Sequence, residues 1–238
     1  MADSGRDAYA YQPTLPAEQA ERIRRWHDVA YRRGKARGRT TRRFGYLDTV
    51  LEVPPDVHPV TDVSHLLGEA VLAEVRAGDA VLDMGTGSGV NAVLAASKAA
   101  AVVAVDVNPV ALDAARRNAA NNGVPDRVEV RYSDVFSHVD ETFDLIVFDP
   151  PFRWFAPRER YELAYTDHNY RALTRFFREA RDHLSPAGRM LILFTTAGDI
   201  DYLRRLADEN GFTTEVVAHQ RMMRDDWPVD YYSFRMTI

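Results

Sequence analysis

The sequence predicts an α/β fold: a seven-stranded, mostly parallel sheet covered by helices, with a short N-terminal helical extension. Three observations predict it. From Ala80 onward, short apolar runs alternate with amphipathic stretches of helical period, the pattern of βαβ units feeding one parallel sheet. The first run, Val81-Leu82-Asp83-Met84, breaks into Gly85-Thr86-Gly87-Ser88-Gly89, a turn of three alternate glycines leading into a helix near Val90. Hydrophobic residues make up 46% of the 238 residues, enough to build the large core that such a sheet needs.

Each element follows from local chemistry. Residues 1–15 are expected to be loosely attached. Residues 16–37 read as a helix, because Pro16 suits a first turn and Ile23, Trp26, Val29 and Ala30 share one face. Residues 44–53 alternate as a small hairpin or edge strand, closed by Pro54-Pro55, and a helix over 64–76 leads into the core. Then come a strand at Ala80–Met84, a helix over 90–100, a strand over 101–105 and a helix over 109–122 that stops at Gly123. Val128–Tyr132 and 145–148 are the third and fourth strands. A helix over 169–184 precedes a fifth strand at 189–195, and a helix over 200–210 is capped by Gly211. Strands at 213–218 and 231–238 close the chain. Residues 1–59 are the expected extension and 60–238 the main domain.

Composition excludes several classes. There is no cysteine, so disulfides, thiolate nucleophiles and cysteine-held metals are out, and no metal site is expected. No apolar run reaches the roughly 18 residues of a membrane span, and no signal-peptide pattern opens the chain, so a cytoplasmic enzyme without membrane partners is expected. The net charge of −5 hides an asymmetry. Ten basic residues between Glu21 and Arg43 face only Glu21 and Asp28, so this arm is strongly cationic on an acidic body. RNA contact through the basic arm 21–43 is one reading; a solvated helix face is the other.

The glycine turn carries the first functional signal. Glycine permits positive φ and lets a ligand lie against the main chain, and this turn ends a first parallel strand, where doubly wound folds hold nucleotide-like ligands. A dinucleotide fingerprint would place its third glycine at Val90, so that fingerprint fails. What stands is Asp83-x-Gly85-x-Gly87-x-Gly89. It resembles motif I of the class I S-adenosylmethionine-dependent methyltransferases. The resemblance spans roughly 60–238 and implies a Rossmann-like sheet whose antiparallel seventh strand is inserted beside the fifth. It also implies S-adenosyl-L-methionine as cofactor, with Asp83 near the amino group and Gly85, Thr86, Gly87 and Gly89 around it. Asp106, ending the second strand, suits both ribose hydroxyls in a bidentate contact, with Val107 and Asn108 beside it. Capping of the next helix is its competing role, since Asn108-Pro109 reads as a helix start. After the third strand, Ser133, Asp134 and Val135 stand where related enzymes meet the adenine.

Asp149-Pro150-Pro151-Phe152, after the fourth strand, is the second signal. Two prolines remove two backbone donors and stiffen the chain, leaving carbonyls and the Asp149 carboxylate as converging acceptors for a planar –NH₂. Phe152 can stack on the planar group. The run resembles the (Asn/Asp)-Pro-Pro-(Phe/Tyr) signature of amino-methyltransferases acting on amide or exocyclic nitrogen. The catalytic residues implied are Asp149, Pro150, Pro151 and Phe152. Ionised Asp149 only accepts, so it suits an aromatic amine or a guanidinium; the glutamine methyltransferases usually carry Asn there, whereas bacterial rRNA guanine-N2 methyltransferases carry Asp-Pro-Pro-Phe.

The expected function is therefore methyl transfer to a planar amide, amine or guanidine nitrogen. The methyl acceptor is either a small molecule or a macromolecule, namely rRNA or a ribosome-associated protein. Trp154, Phe155, Tyr165 and Trp227 are candidates for the substrate pocket, and the loop 221–231, with Asp225 and Asp226, for acidic contacts. A non-catalytic adenosylmethionine-binding adaptor and an O- or C-methyltransferase are the alternatives.

Overall fold

The computed structural model describes residues 11–36 and 40–238. The chain runs through α1 (Ala17–Ala36), a hairpin of β1 (Arg42–Tyr46) and β2 (Thr49–Val53), and α2 (Ser64–Glu74). The main domain continues with β3 (Ala80–Met84), α3 (Val90–Ala95), β4 (Ala101–Asp106), α4 (Pro109–Asn121), β5 (Val128–Tyr132) and β6 (Phe143–Phe148). It ends with α5 (Arg171–Glu179), β7 (Leu184–Thr195), α6 (Ile200–Glu209), β8 (Thr213–Arg224) and β9 (Trp227–Thr237). The seven strands from β3 onward form one sheet in the order β5-β4-β3-β6-β7-β9-β8. Only β9 runs antiparallel, inserted between β7 and β8.

The central strands are buried on both faces, and their period of two sorts the side chains. Leu82, Met84, Val105, Ile146 and Phe148 join Phe176, Leu203 and Leu206 of α5 and α6 in one core. Val81, Val102, Leu145 and Val147 join Leu67, Val71 and Leu94 of α2 and α3 in the other. With side chains alternating between two cores, the open C-terminal ends of β3, β4 and β6 are free to carry a site.

Several boundaries differ from expectation. The helix expected over 90–100 ends at Ala95, where Ser97 Oγ donates to the Leu94 carbonyl. The helix expected from Asn169 begins at Arg171, because Asn169 and Tyr170 take left-handed φ of 55° and 49°. The strands expected at 213–218 and 231–238 extend into one long hairpin, paired as far as Arg224↔Trp227. The loop expected at 221–231 therefore shrinks to a tight turn at Asp225-Asp226. The loosely attached segment 1–15 is also corrected where it is described: Tyr11 is buried and its hydroxyl donates to Asp199 (2.7 Å), as does the Thr14 amide (2.7 Å). Residues 1–10, and Arg37, Gly38 and Arg39 of the basic arm, lie outside the described residues.

Candidate active site

A cleft of about 1190 Å³ opens over the C-terminal ends of β3, β4 and β6. Its volume exceeds the ~300–1,000 Å³ of a typical single-ligand pocket. The glycine turn forms its floor. Gly85 and Gly87 have φ of 64° and 56°, conformations that β-carbons resist. A Cβ on Gly87 would meet nothing nearer than Val57 at 3.8 Å, so at this point the cleft is bounded by bare main chain. Gly89 differs. It does not line the cleft; a Cβ there would come within 2.9 Å of the Ala115 Cα, so its place is in the packing of α3 on α4.

Asp83 is buried and faces inward. Its Oδ2 accepts from Thr86 Oγ1 (2.6 Å) and from the Ala92 amide (3.0 Å). It thereby ties the glycine turn to the first turn of α3 instead of lining the cleft. Burial raises its carboxyl to about 7. Asp106 lines the cleft with one oxygen accepting from the Gly87 amide (2.9 Å) and the other from the Asn108 amide (2.8 Å). The competing capping role falls to Asn108, whose Oδ1 accepts from the Val110 amide while its Nδ2 donates to the Asp56 carbonyl. Val107 is 42% exposed at the cleft, an apolar surface placed for a ring to cover. Ser133, Asp134 and Val135 complete this end; Ser133 Oγ donates to the Val135 carbonyl (2.6 Å), and Asp134 pairs with Arg175 at 3.1 Å.

Asp149 emerges from β6 into the cleft, open to solvent there but surrounded by protein. Burial raises its carboxyl to about 7, and the nearby Asp83 charge adds to the rise. The backbone behind it is fixed from two sides. Tyr170 donates its hydroxyl to the Phe152 carbonyl (2.6 Å), and Gly198 packs so closely that any Cβ would overlap that carbonyl. Neither support is legible in the sequence, because both come from segments far along the chain.

The expected substrate wall is revised. Trp154 and Phe155 are each 7% exposed and sit in the core with Tyr11 and Tyr170, away from the cleft. Trp227 packs edge-on against Trp26 (6.1 Å), and Asp225 reaches Arg33 at 3.9 Å; neither lines the cleft, nor does Asp226. Of the four candidates only Tyr165 does, its ring 4.9 Å from that of His58. This side of the cleft is lined by α1, through Trp26, His27 and Tyr31, and by Tyr46, Arg153 and Tyr231. Tyr46 reaches over α2 at Gly68, where any Cβ would overlap its hydroxyl, and that hydroxyl is buried without a hydrogen-bond partner.

The donor set fits S-adenosylmethionine: a carboxylate for the ribose, apolar and acidic groups for the adenine, and glycine backbone between. Among the described residues no cluster suits a metal ion, and no helix is long and apolar enough to cross a membrane.

The family model described as methyltransferase small domain matches residues 59–222. Over 140 residues the chain is 42% identical to the release factor glutamine methyltransferase of Cereibacter sphaeroides, covering 52% of this chain and 49% of that one. The chain thus spans about half the length of that curated relative. A Methanocaldococcus jannaschii protein with the provisional name protein N5-glutamine methyltransferase is 30% identical over 181 residues, 72% of this chain and 89% of its own. The crystal structure of the M. jannaschii tRNA m1G37 methyltransferase superposes with a TM-score of 0.62 at 18% identity, over 84% of this chain and 55% of that one, a likeness of fold.

Proposed function

The chain belongs to the methyltransferase small domain family, and from that premise we propose that it transfers the methyl group of S-adenosylmethionine to a planar nitrogen, of the amide, amine or guanidine kind. The observation that carries this reading is Asp149, held at the mouth of β6 beside the glycine turn and facing the same cleft. Asp106, Val107, Ser133, Asp134 and Val135 would hold the adenosine portion, with Gly85 to Gly87 against the rest. When bound, the cofactor supplies an electrophilic methyl on its sulfonium.

The protein's part is positioning. Ionised Asp149 accepts one N–H of the acceptor's –NH₂, and the Pro150 carbonyl accepts the other. Pro150 and Pro151 offer no competing N–H. Phe152 lines the cleft and supports the planar group on its ring, so the nitrogen lone pair is aimed across the cleft. The proton shed by the methylated nitrogen has a receiver in Asp149, whose affinity near neutrality suits that exchange.

Replacing Asp149 with Ala tests the reading. Turnover to adenosylhomocysteine should fall by about 10²-fold or more, while cofactor affinity by calorimetry stays within about threefold. Collapse of cofactor binding with normal turnover per bound cofactor would make Asp149 a cofactor ligand and not the holder of the acceptor nitrogen. Labelled cofactor with a lysate split into RNA, protein and metabolite fractions would identify the acceptor. An RNA acceptor has one specific observation in its favour: Arg25 and Arg32 are exposed on the outer side of α1.

A further inference from the structure

Arg153, the residue after Phe152, is only 4% exposed and yet lines the cleft. Burying a cation is costly unless it is paired. Among the described residues no carboxylate stands within ion-pair distance of it, and its Nε has no hydrogen-bond partner. Its guanidinium lies over the rings of Trp26 (4.5 Å) and Phe152 (4.8 Å), which stabilise a cation without neutralising it.

Among the described residues the side chain it bonds is His27, through Nη1 to Nδ1 at 2.9 Å. Burial and the Arg153 charge lower His27 to about 4, so this partner is neutral. Beyond His27 stands Glu162, but that carboxylate is already forked by Arg158 Nε at 2.9 and 3.0 Å. Arg158 is itself shared with Asp28 (2.8 Å), so Glu162 reaches Arg153 only through His27, and among the described residues no carboxylate contacts the guanidinium directly on the cleft side. Arg224 adds a second cation to the same wall, its Nε donating to the Tyr231 hydroxyl at 3.0 Å.

We propose that Arg153 binds a negatively charged group of the methyl acceptor, so that the acceptor is a small molecule joining a planar nitrogen to a carboxylate or phosphate. This rests on the methyl-transfer reading above and names its substrate class. A guanidinium fork matches either anion in a bidentate contact. Its depth decides between a small molecule and RNA. Only a group that enters the cleft reaches a side chain this buried, whereas the phosphates of a polynucleotide stay at the surface when a base is inserted. The outer cations of α1 are also partly spent internally, Arg33 on Asp225 and Lys35 on Glu159.

The test is anion binding, independent of turnover. The full chain, saturated with adenosylhomocysteine, is titrated calorimetrically with benzoate and, separately, with inorganic phosphate. At least one should bind in the millimolar range; the stronger of the two identifies the source of the negative charge. Arg153→Met should weaken that binding at least tenfold, Arg153→Lys by less, and affinity for S-adenosylmethionine should stay within threefold in both. Failure of both anions to bind wild type, or equal binding by wild type and Arg153→Met, overturns the proposal. So does a tenfold loss of cofactor affinity with anion binding intact, since the guanidinium would then hold the cofactor's own carboxylate. An Arg153-dependent affinity for a ten-nucleotide oligoribonucleotide, tenfold above that for uridine monophosphate, would transfer the site to RNA. If Arg153→Met does not fold, unchanged anion affinity in Arg153→Lys overturns it. Absence of methyl transfer to any acceptor, with Arg153-dependent anion binding present, would instead remove the reading on which the proposal rests.

Discussion

Asp149 illustrates how position sets chemistry at the level of one residue. On an open surface it would be ionised across the physiological range; in the cleft, where it stays open to solvent, the surrounding protein and Asp83 push it up to about 7. Asp83 is raised to about the same value, chiefly by burial, and its charge is one cause of the rise at Asp149. Acceptance of an N–H requires the ionised form. The rate constant for acceptor turnover should therefore fall about tenfold per pH unit below about 7, and Asp149→Asn should flatten that limb in a pH–rate profile. The stability consequence has the opposite sense. A carboxyl raised above its unfolded value favours the protonated folded state, so its contribution is full below about 4 and is lost as pH rises through about 7. In urea titrations, wild type should gain stability relative to Asp83→Asn as pH drops from 7 to 4. Gly198 is the other telling residue: a methyl group there collides with the Phe152 carbonyl. Gly198→Ala should cost about 1–3 kcal/mol or more and lower turnover through displacement of the Asp149 turn, a loss that Gly45→Ala, whose Cβ meets nothing within 4 Å, should not produce.

Among elements, the small hairpin and α1 do most to distinguish this chain from a bare sheet-and-helix domain. The hairpin is fastened by two asparagines one turn apart, Asn118 on α4 and Asn122 at its C-terminal cap. Asn118 accepts from the Glu52 amide (2.8 Å) and donates to the Glu52 carbonyl (2.9 Å), and Asn122 repeats the exchange with Val50. Fully buried Asn118 also donates to the Ser88 carbonyl, within the glycine turn. Asn118→Ala should cost about 1–3 kcal/mol through unsatisfied backbone groups, read from denaturant midpoints. Helix α1, a basic arm by its charge pattern, is also a wall of the cleft. Its apolar stripe points to the docking: Ile23 is fully buried, and Trp26 packs on Trp227. On the proposed function, Trp26→Ala should raise the acceptor KM about tenfold with cofactor affinity nearly unchanged, since Trp26 lines the cleft against Arg153.

For the molecule as a whole, binding and folding are linked, because the cleft exists only when β3, β4 and β6 are assembled. Adenosylmethionine at about 100 times its Kd should add about 2.7 kcal/mol of stability, seen as a raised Tm that Asp106→Ala abolishes. Whatever depends on local order is legible along the chain: the alternation of strands and helices, the glycine turn, Asp106 at a strand end, and the Pro-Pro turn with its acceptors. Those features are written in periods of two and 3.6 and in the dihedral limits of glycine and proline, so a linear reading finds them. Which aromatic residues reach the cleft is settled only by packing in three dimensions. Trp154 and Phe155 follow the Pro-Pro turn directly but rotate into the core, whereas Tyr46, His27 and Tyr231 arrive from distant segments. Packing also makes Asp83 a brace for the turn and Gly89 a helix contact, since a carboxylate or a glycine reads the same in sequence whether it faces a ligand or a neighbouring backbone. The lack of a direct carboxylate partner for Arg153 belongs to the same class: it depends on His27, Glu162 and Arg158 converging across more than a hundred residues. Burial and charge balance are sums over neighbours in space, and the chain's order does not contain them.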